Sequence, residues 1–301
     1  MSKRARKLHR ISKRLKIHQL RRLPEKDLTM GFTDLFNREG NGRSSPYFLG
    51  FYSSSGIQYA LEKYGFFKFL KEKGYENIKL TINTKDPFKQ RVAIYYETEK
   101  PENLLVELVV KRKHITIHSP FPSTMHGRNY EVIAVEWLLM QNPKGKFSSE
   151  KPRLPGQKYP GLGIGDMTME ILVIMSGRLR TAGLLNRPEH FHNAQIYSSQ
   201  FRFIDPVDEA KRRAISRDLL PYHSLSVVSW AIDLKCVTEN GKRFEWHGTD
   251  QIIPIDRDLK GYFHSRKYKR FVEELSMEYH YKMDKSLLEK KMNEIKILMA
   301  C

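Results

Sequence analysis

The sequence predicts an α/β protein of the α+β class, in which helices flank a mixed, mostly antiparallel central sheet behind a disordered basic N-terminal arm. Runs rich in β-branched and aromatic residues alternate with segments whose apolar residues recur at helical spacing. A hydrophobic content of 40% over 301 residues is enough for one large core or two ordinary ones. The densest cluster of basic residues stands at the beginning of the chain.

The basic arm is predicted to span residues 1–45. Ten Lys and Arg residues and no acid lie in residues 1–22, which leaves +9 of the net charge of +19 for the other 279 residues. Because this segment has few large apolar residues, we expect its deletion to leave the fold intact. It could bind nucleic acid or an anionic surface through counterion release. A transit-like segment and a solvated arm without a specific partner are the other interpretations.

Residues 46–129 are predicted to form the first part of the sheet and one helix. Residues 56–73 place apolar side chains at helical spacing. Three segments rich in β-branched and aromatic residues follow, and Asp86-Pro87 and Pro101 separate them. We predict that they are antiparallel strands, at 78–83, 90–97 and 104–111.

Residues 130–255 are predicted to form the functional core. The apolar run 130–140 indicates a buried strand, and the glycine-rich segment 156–165 leads into a helix at 166–179. A short strand at 181–186 and helices at about 189–200 and 207–219 follow. A strand pair, 225–237 and 242–247, turns at Glu239-Asn240-Gly241. Residues 256–301 contain two predicted helices, 266–281 and 287–299, the second with Ser286 and Glu289 in capping-box spacing.

Three alternate glycines, Gly161, Gly163 and Gly165, distinguish the segment before the predicted helix at 166–179. Glycines let a backbone turn tightly and approach a ligand without Cβ clashes, and a helix N-terminus favours anions. The spacing suits a pyrophosphate, although a plain tight turn into a helix is the alternative. A P-loop is excluded because no Lys-Ser/Thr pair follows, and a dinucleotide fold because neither its GxGxxG spacing nor its acid is present.

The order strand, glycine loop, helix, short strand and helix resembles the GNAT acyltransferase superfamily over about residues 130–250. Lys158-x-x-Gly161-x-Gly163 is similar to the [RQ]xxGx[GA] loop of that family, and Asn193 and Tyr197 are similar to residues of its Asn/Ala/Tyr helix. The resemblance implies binding of acetyl-CoA or another acyl-CoA. The implied binding residues are Gln157, Lys158, Gly161, Leu162, Gly163, Ile164, Gly165 and Asn193. The sequence departs from the family in the 16 residues, 141–156, that separate strand and loop.

If the resemblance holds, the chemistry is acyl transfer from a CoA thioester to an amine or another nucleophile. Glu136 is the candidate base, because an acid inside an apolar strand is expected to have a raised pKa. An edge carboxylate paired with an arginine is the alternative. Tyr197 is the implied proton donor to the leaving thiolate, with core packing as its alternative role.

His190 and His192 are alternate candidates for the base. A metal site is not predicted, because i,i+2 positions diverge on a helix and no Cys or third His is close in sequence. The chain therefore has two interpretations: an acyl-CoA-dependent N-acyltransferase with an unknown acceptor, or a non-catalytic protein whose basic arm binds nucleic acid or an anionic surface.

Cysteine content and hydropathy bear on the compartment. Cys236 and Cys301 are too few for a disulfide framework, and no apolar run is long enough to span a bilayer or to act as a secretory signal. We expect a cytoplasmic protein that is not integral to a membrane.

Overall fold

The structure, a computed structural model, describes residues 3–23 and 45–300. The chain forms two compact units, whose boundaries fall within three strands. The first unit contains residues 1–114, 131–145 and 160–184, and the second contains residues 115–130, 146–159 and 185–301. The mixed α/β class is confirmed, as is a mostly antiparallel central sheet flanked by helices.

The first unit is built from five described helices and five strands. The helices are α1 (Lys3–Arg14), α2 (Ile17–Arg21), α3 (Ser54–Tyr64), α4 (Phe66–Glu72) and α5 (Gly165–Arg178). The strands are β1 (Lys79–Asn83), β2 (Gln90–Tyr95), β3 (Leu104–Thr116), β4 (Asn129–Met140) and β5 (Gly183–Asn186).

The strands of the first unit lie in the order β1-β2-β3-β4-β5. β1 pairs antiparallel with β2, Lys79 opposite Tyr95, and β2 pairs antiparallel with β3, Gln90 opposite Val110. The four long strands that the sequence predicts in this unit are therefore confirmed, to within a few residues at each end. The helix predicted at 56–73 is two helices, α3 and α4, because Gly65 separates them.

Residues 3–23 fold as α1, α2 and their connection, so the predicted disordered arm is wrong for this segment. Several apolar side chains of this segment are buried. They are Ala5 and Leu8 of α1, Leu15 of the connection and Leu20 of α2. His9 Nε2 lies 2.6 Å from Glu170 Oε1 of α5. The Arg178 guanidinium, also on α5, donates to the Ser12 Oγ at 3.1 Å and to the Ser12 carbonyl. The rest of the predicted arm, residues 24–44, lies outside the described residues.

A close approach between backbones fixes α2 against α3. Ser53, the N-cap of α3, donates its amide to the Leu20 carbonyl at 3.0 Å. A Cβ added to Gly56 in α3 would lie 2.1 Å from that same carbonyl oxygen, far inside van der Waals contact. Only glycine fits here, and the N-terminal helices are therefore part of the packing of the first unit.

The second unit has six described helices and five further strands. The helices are α6 (Phe191–Ile196), α7 (Pro206–Leu219), α8 (Leu225–Asp233), α9 (Arg257–His264), α10 (Arg266–Glu278) and α11 (Lys285–Ala300). The strands are β6 (Arg202–Phe203), β7 (Val237–Glu239), β8 (Lys242–Arg243), β9 (Gln251–Pro254) and β10 (Tyr281–Met283). β6 pairs antiparallel with β9, which neighbours β5, and a separate small sheet has the order β10-β7-β8.

Three predictions for the second unit are wrong in detail. The strand predicted at 225–237 is mostly helix α8, which Ser224 caps and which buries Val228, Ala231 and Ile232 at helical spacing. The predicted hairpin turn is present, with Asn240 and Gly241 both at positive φ, but it joins the short strands β7 and β8. Asp284, rather than the Ser286 of the predicted capping box, accepts the Leu287 amide at 2.9 Å at the start of α11.

The core of the second unit gathers side chains from α6, α7 and α8 and from the small sheet. Phe191, Ile215, Val228, Ile232 and Val237 are buried in one cluster. No helix among the described residues is long and apolar enough to cross a membrane.

Candidate functional site

The glycine loop of the first unit follows β4 and ends at the N-terminus of α5. Gly161 forms an antiparallel bridge with Gln141, and the Leu162 amide donates to the Met140 carbonyl at 3.3 Å. Leu162 and Ile164 are buried, whereas Gly161 and Gly163 are exposed. The loop is thus anchored by its apolar residues, and its glycines face solvent.

The turn from the loop into α5 requires glycine at one position. Gly163 has φ +80°, which L side chains rarely adopt, and no atom lies within 4 Å of a Cβ placed there. No side chain caps α5, a helix of 14 residues that begins at Gly165. Its first amides have no partner within the helix and can donate to a ligand. Asp166 is the acidic residue of this first turn.

Gln157 and Lys158, which the resemblance adds to the loop, belong to the second unit. The Gln157 Oε1 accepts from the Leu154 amide at 3.1 Å, and the Gln157 carbonyl accepts from Arg153 Nε at 2.7 Å. The side-chain oxygen and the carbonyl of Gln157 are therefore both used in a local turn. Lys158 is exposed, with its Nζ 5.4 Å from the centre of the Tyr159 ring.

Glu136 is not buried, contrary to the prediction. Its side chain is 41% exposed, and its Oε1 forms an ion pair with Lys111 Nζ at 3.1 Å. The burial that the sequence suggested for Glu136 is therefore absent. The other interpretation, an edge carboxylate paired with arginine, holds only in the pairing with a cation, because the partner is a lysine and β4 lies between β3 and β5.

His190 and Asp233 form a hydrogen-bonded pair in the second unit. His190 Nδ1 lies 2.9 Å from Asp233 Oδ1, and both side chains are partly exposed, at 25% and 35%. A carboxylate only accepts hydrogen bonds, so the neutral imidazole carries its proton on Nδ1 and keeps a lone pair on Nε2. This arrangement orients a histidine for proton abstraction.

The surroundings of His190 restrict its position. Its ring stacks on that of His192, with centroids 5.4 Å apart and planes 12° from parallel. A Cβ added to Gly156, which has φ +75°, would lie 2.7 Å from His190 Nε2. A small cavity of about 100 Å³ adjoins the ring, and Trp246 is among its lining residues. The ring therefore stacks on His192 on one face, and the space between Gly156 and Nε2 is too small for a Cβ.

His192 is buried, at 3% exposed, and burial lowers the pKa of its imidazole to about 4, with a smaller contribution from His190. Its Nδ1 makes no hydrogen bond within the part of the chain that the structure describes. His192 is therefore neutral near pH 7, and its role is to support the ring of His190. The two rings stack although i,i+2 positions were expected to diverge on a helix, because His190 is the N-cap of α6 and has an extended backbone.

Asn193 lies on α6, and Tyr197 follows directly after it. Tyr197 is the C-cap of α6 and is half-buried, and the Asn193 amide donates to the His190 carbonyl at 3.1 Å. Asp233 was missed by sequence reasoning, because it is 43 residues from His190 and carries no local motif.

Over the described residues, no group of three or more His, Cys, Asp or Glu side chains is placed to hold a metal ion.

Comparison with protein-family models finds no match for this chain, and comparison with curated proteins finds none either. Among solved structures, one described as a crystal structure of a bacterial toxin is similar at 9% identity, with a TM-score of 0.28. The match covers 59% of this chain and 74% of the toxin chain. At that TM-score the likeness does not bear on the fold or the function.

Proposed function

We propose that this protein is an acyltransferase that moves an acyl group from acetyl-CoA or another acyl-CoA to an amine or a similar nucleophile. The observation that supports it is the passage from β4 through the turn at Gly163 into the uncapped N-terminus of α5. The elements that follow, β5, α6 and the antiparallel pair β6 and β9, come in the order that the resemblance to GNAT acyltransferases implies.

The pyrophosphate of CoA is the group that the glycine loop would hold. The amides of Gly163, Ile164 and Gly165 precede or begin α5, and the helix dipole adds favourable potential for an anion there. The exposed glycine surface admits a phosphate without a Cβ clash. Gln157 is already engaged in its own turn, so the proposal assigns binding to residues 161–165.

His190 is the base that we assign, in place of Glu136. In the reaction the amine nitrogen forms a bond to the thioester carbonyl carbon, and His190 Nε2 takes the amine proton. The C–S bond then breaks and the thiolate takes a proton from the Tyr197 hydroxyl, the donor that the resemblance implies. His190 then releases its proton to solvent and Tyr197 takes one from solvent, which restores both side chains. Asp233 holds the tautomer that this step needs and stabilises the imidazolium.

The test is thiol release from acetyl-CoA in the presence of a panel of amines, followed by substitution of the two candidate bases. We expect His190→Gln to lower kcat by about 100-fold or more, typical of a lost general base, and Asp233→Asn to act in the same direction. Glu136→Gln should be close to wild type. The exposed His264 provides the matched control, His264→Gln.

Two outcomes contradict these assignments. If Glu136→Gln is inactive while His190→Gln retains activity, the assignment of His190 as the base is wrong but the reaction class stands. If the folded protein releases no thiol with any amine, the reaction class itself is contradicted.

A second candidate function is supported by the surface of α1. Its apolar side chains are buried, while Arg4, Arg6, Lys7, Arg10, Lys13 and Arg14 are all exposed. A helix docked in this way has no apolar face left for a bilayer, so its cations suit the phosphates of a nucleic acid better than a membrane. Steeply salt-dependent binding of RNA or DNA, lost in the Arg10→Gln/Lys13→Gln/Arg14→Gln variant, would support this function.

A further inference from the structure

A second, larger cavity lies in the second unit, apart from the His190 pair. It measures about 780 Å³, within the range of pockets that hold small molecules. The loop 121–128 forms one wall, and residues of α9 and of the start of α10 form the other. None of the residues in the acyltransferase proposal lines this cavity.

The interior of the cavity is aromatic and apolar. Phe121 stacks on Tyr262, with centroids 5.7 Å apart and planes 16° from parallel, and packs at an angle against Phe271 at 5.6 Å. Met125 and Tyr262 are buried, at 6% and 4% exposed. Such a floor favours a flat apolar group in a ligand.

The Tyr262 hydroxyl lies behind this apolar floor, because its Oη is buried from solvent. Its Oη makes no hydrogen bond of normal geometry among the described residues. Burial raises the pKa of this hydroxyl, and the neighbouring Ser119 hydroxyl lowers it. The ring of Tyr262, rather than its hydroxyl, is therefore the part of this residue that can contact a ligand.

The rim of the cavity is cationic. Arg128, Arg257 and Lys267 line it together with one acidic side chain, Asp258. Arg128 Nη1 is paired with Asp258 Oδ2 at 2.9 Å, and Lys267 Nζ donates to the Pro122 carbonyl at 3.1 Å. Three cations against one anion leave an excess of positive charge at the mouth, which favours an anionic group there.

We propose that this cavity binds an organic anion, with its flat apolar part against Phe121, Met125 and Tyr262 and its charged group at Arg257 and Lys267. The site is independent of the proposed acyltransferase function.

The probe for the test is 8-anilinonaphthalene-1-sulfonate, which combines an aromatic body with one sulfonate. Fluorescence titration of the full-length protein should show saturable binding. N-phenyl-1-naphthylamine, which has the same rings without the charge, should bind more weakly. Arg257→Gln and Lys267→Gln should each weaken binding of the sulfonate by about fivefold, the size expected for one exposed ion pair.

Matched variants separate the cavity from general surface charge. Lys260→Gln on α9 and Lys269→Gln on α10 change exposed lysines outside the cavity and should leave the affinity unchanged. Gly261→Leu should abolish binding, because Gly261 lines the cavity and no atom lies within 4 Å of a Cβ added there. This helical glycine has no positive φ, so the protein should keep its fold.

The proposal is overturned if the folded wild type shows no saturable binding, or if Gly261→Leu binds the sulfonate as the wild type does. Equal affinity for the charged and uncharged probes would overturn the anionic character of the ligand. Loss of acyltransferase activity has no bearing on either result.

Discussion

At the scale of single residues, the position of a side chain on its element decides what it can do. Glu136 has apolar neighbours in sequence, and this suggested burial. Both Glu136 and the following Trp137 are nevertheless exposed. Asp233 could not be found in advance, since its pairing with His190 depends on how α8 packs.

His192 gives a prediction about pH. The pKa of its imidazole is about 4 in the fold, because burial disfavours the charged form, against 6.5 for an ordinary histidine. As the pH falls below 6.5, the unfolded chain takes up a proton that the folded chain does not. The free energy of unfolding should therefore decrease between pH 6.5 and 4, by up to about 3 kcal/mol.

Urea unfolding of the wild type and His192→Gln at pH 7 and pH 4.5 measures this effect. The loss of stability on acidification should be smaller in the variant, while His264→Gln, at an exposed position, should follow the wild type. Equal losses in all three proteins would mean that His192 titrates normally in the fold.

Gly156 gives a second prediction at this scale. Gly156→Ala places a Cβ 2.7 Å from His190 Nε2, so the imidazole must move and its bond to Asp233 is disturbed. The left-handed backbone at φ +75° adds strain of about 1 kcal/mol. Gly127→Ala is the control, because Gly127 has φ +79° with no atom within 4 Å of its Cβ.

Gly127→Ala should lose about 1 kcal/mol in thermal unfolding from backbone strain alone. Gly156→Ala should lose at least as much and should in addition lower acyl transfer. If the two variants have the same activity, the position of His190 does not matter for the reaction.

At the scale of elements, the largest difference from the sequence prediction is the N-terminal segment. Its charge density suggested a flexible arm, yet Leu8 and Leu15, seven residues apart, lie on one buried face of the folded segment. The sequence shows this periodicity, but over only three or four apolar residues. The surfaces of α3 and α5 against which the N-terminal segment packs could not be recognised from the sequence. Helix α8 was misassigned for a related reason: a short apolar run fits a strand and a buried helix equally well.

The contact between α2 and α3 gives a prediction for these elements. Gly56→Ala should destabilise the first unit, because its Cβ would lie 2.1 Å from the Leu20 carbonyl oxygen and would force α2 away. We expect a loss of at least about 2 kcal/mol, since Leu20 alone is worth roughly 1.5–3 kcal/mol when buried. Thermal and urea unfolding measure this loss.

Gly177→Ala in α5 is the matched control, because no atom lies within 4 Å of its Cβ and its φ is negative. Removing a helical glycine at such an open site should stabilise by up to about 1 kcal/mol. We therefore expect Gly56→Ala to lower the free energy of unfolding and Gly177→Ala to raise it. If Gly56→Ala is as stable as the wild type, the N-terminal helices are not packed as described.

At the scale of the whole molecule, the sequence predicted the class and the mostly antiparallel sheet, because long strands with β-branched residues leave a clear pattern. The short strands β6 and β9 have too few residues to leave one. The helix predicted at 166–179 is confirmed as α5, which begins at Gly165, and Gly163 in the turn before it has a positive φ.

Calorimetric titration of the full-length protein with acetyl-CoA and CoA tests the central claim most directly. We predict binding at millimolar concentration or below, weakened by roughly tenfold or more in Gly163→Glu, which puts a carboxylate where the pyrophosphate would lie. Gly74→Glu is the control, because Gly74 has the same φ of +80° and equally open space, and it should bind as the wild type does. A folded wild-type protein that binds neither compound, or a Gly163→Glu variant that binds as tightly as Gly74→Glu, would contradict the account.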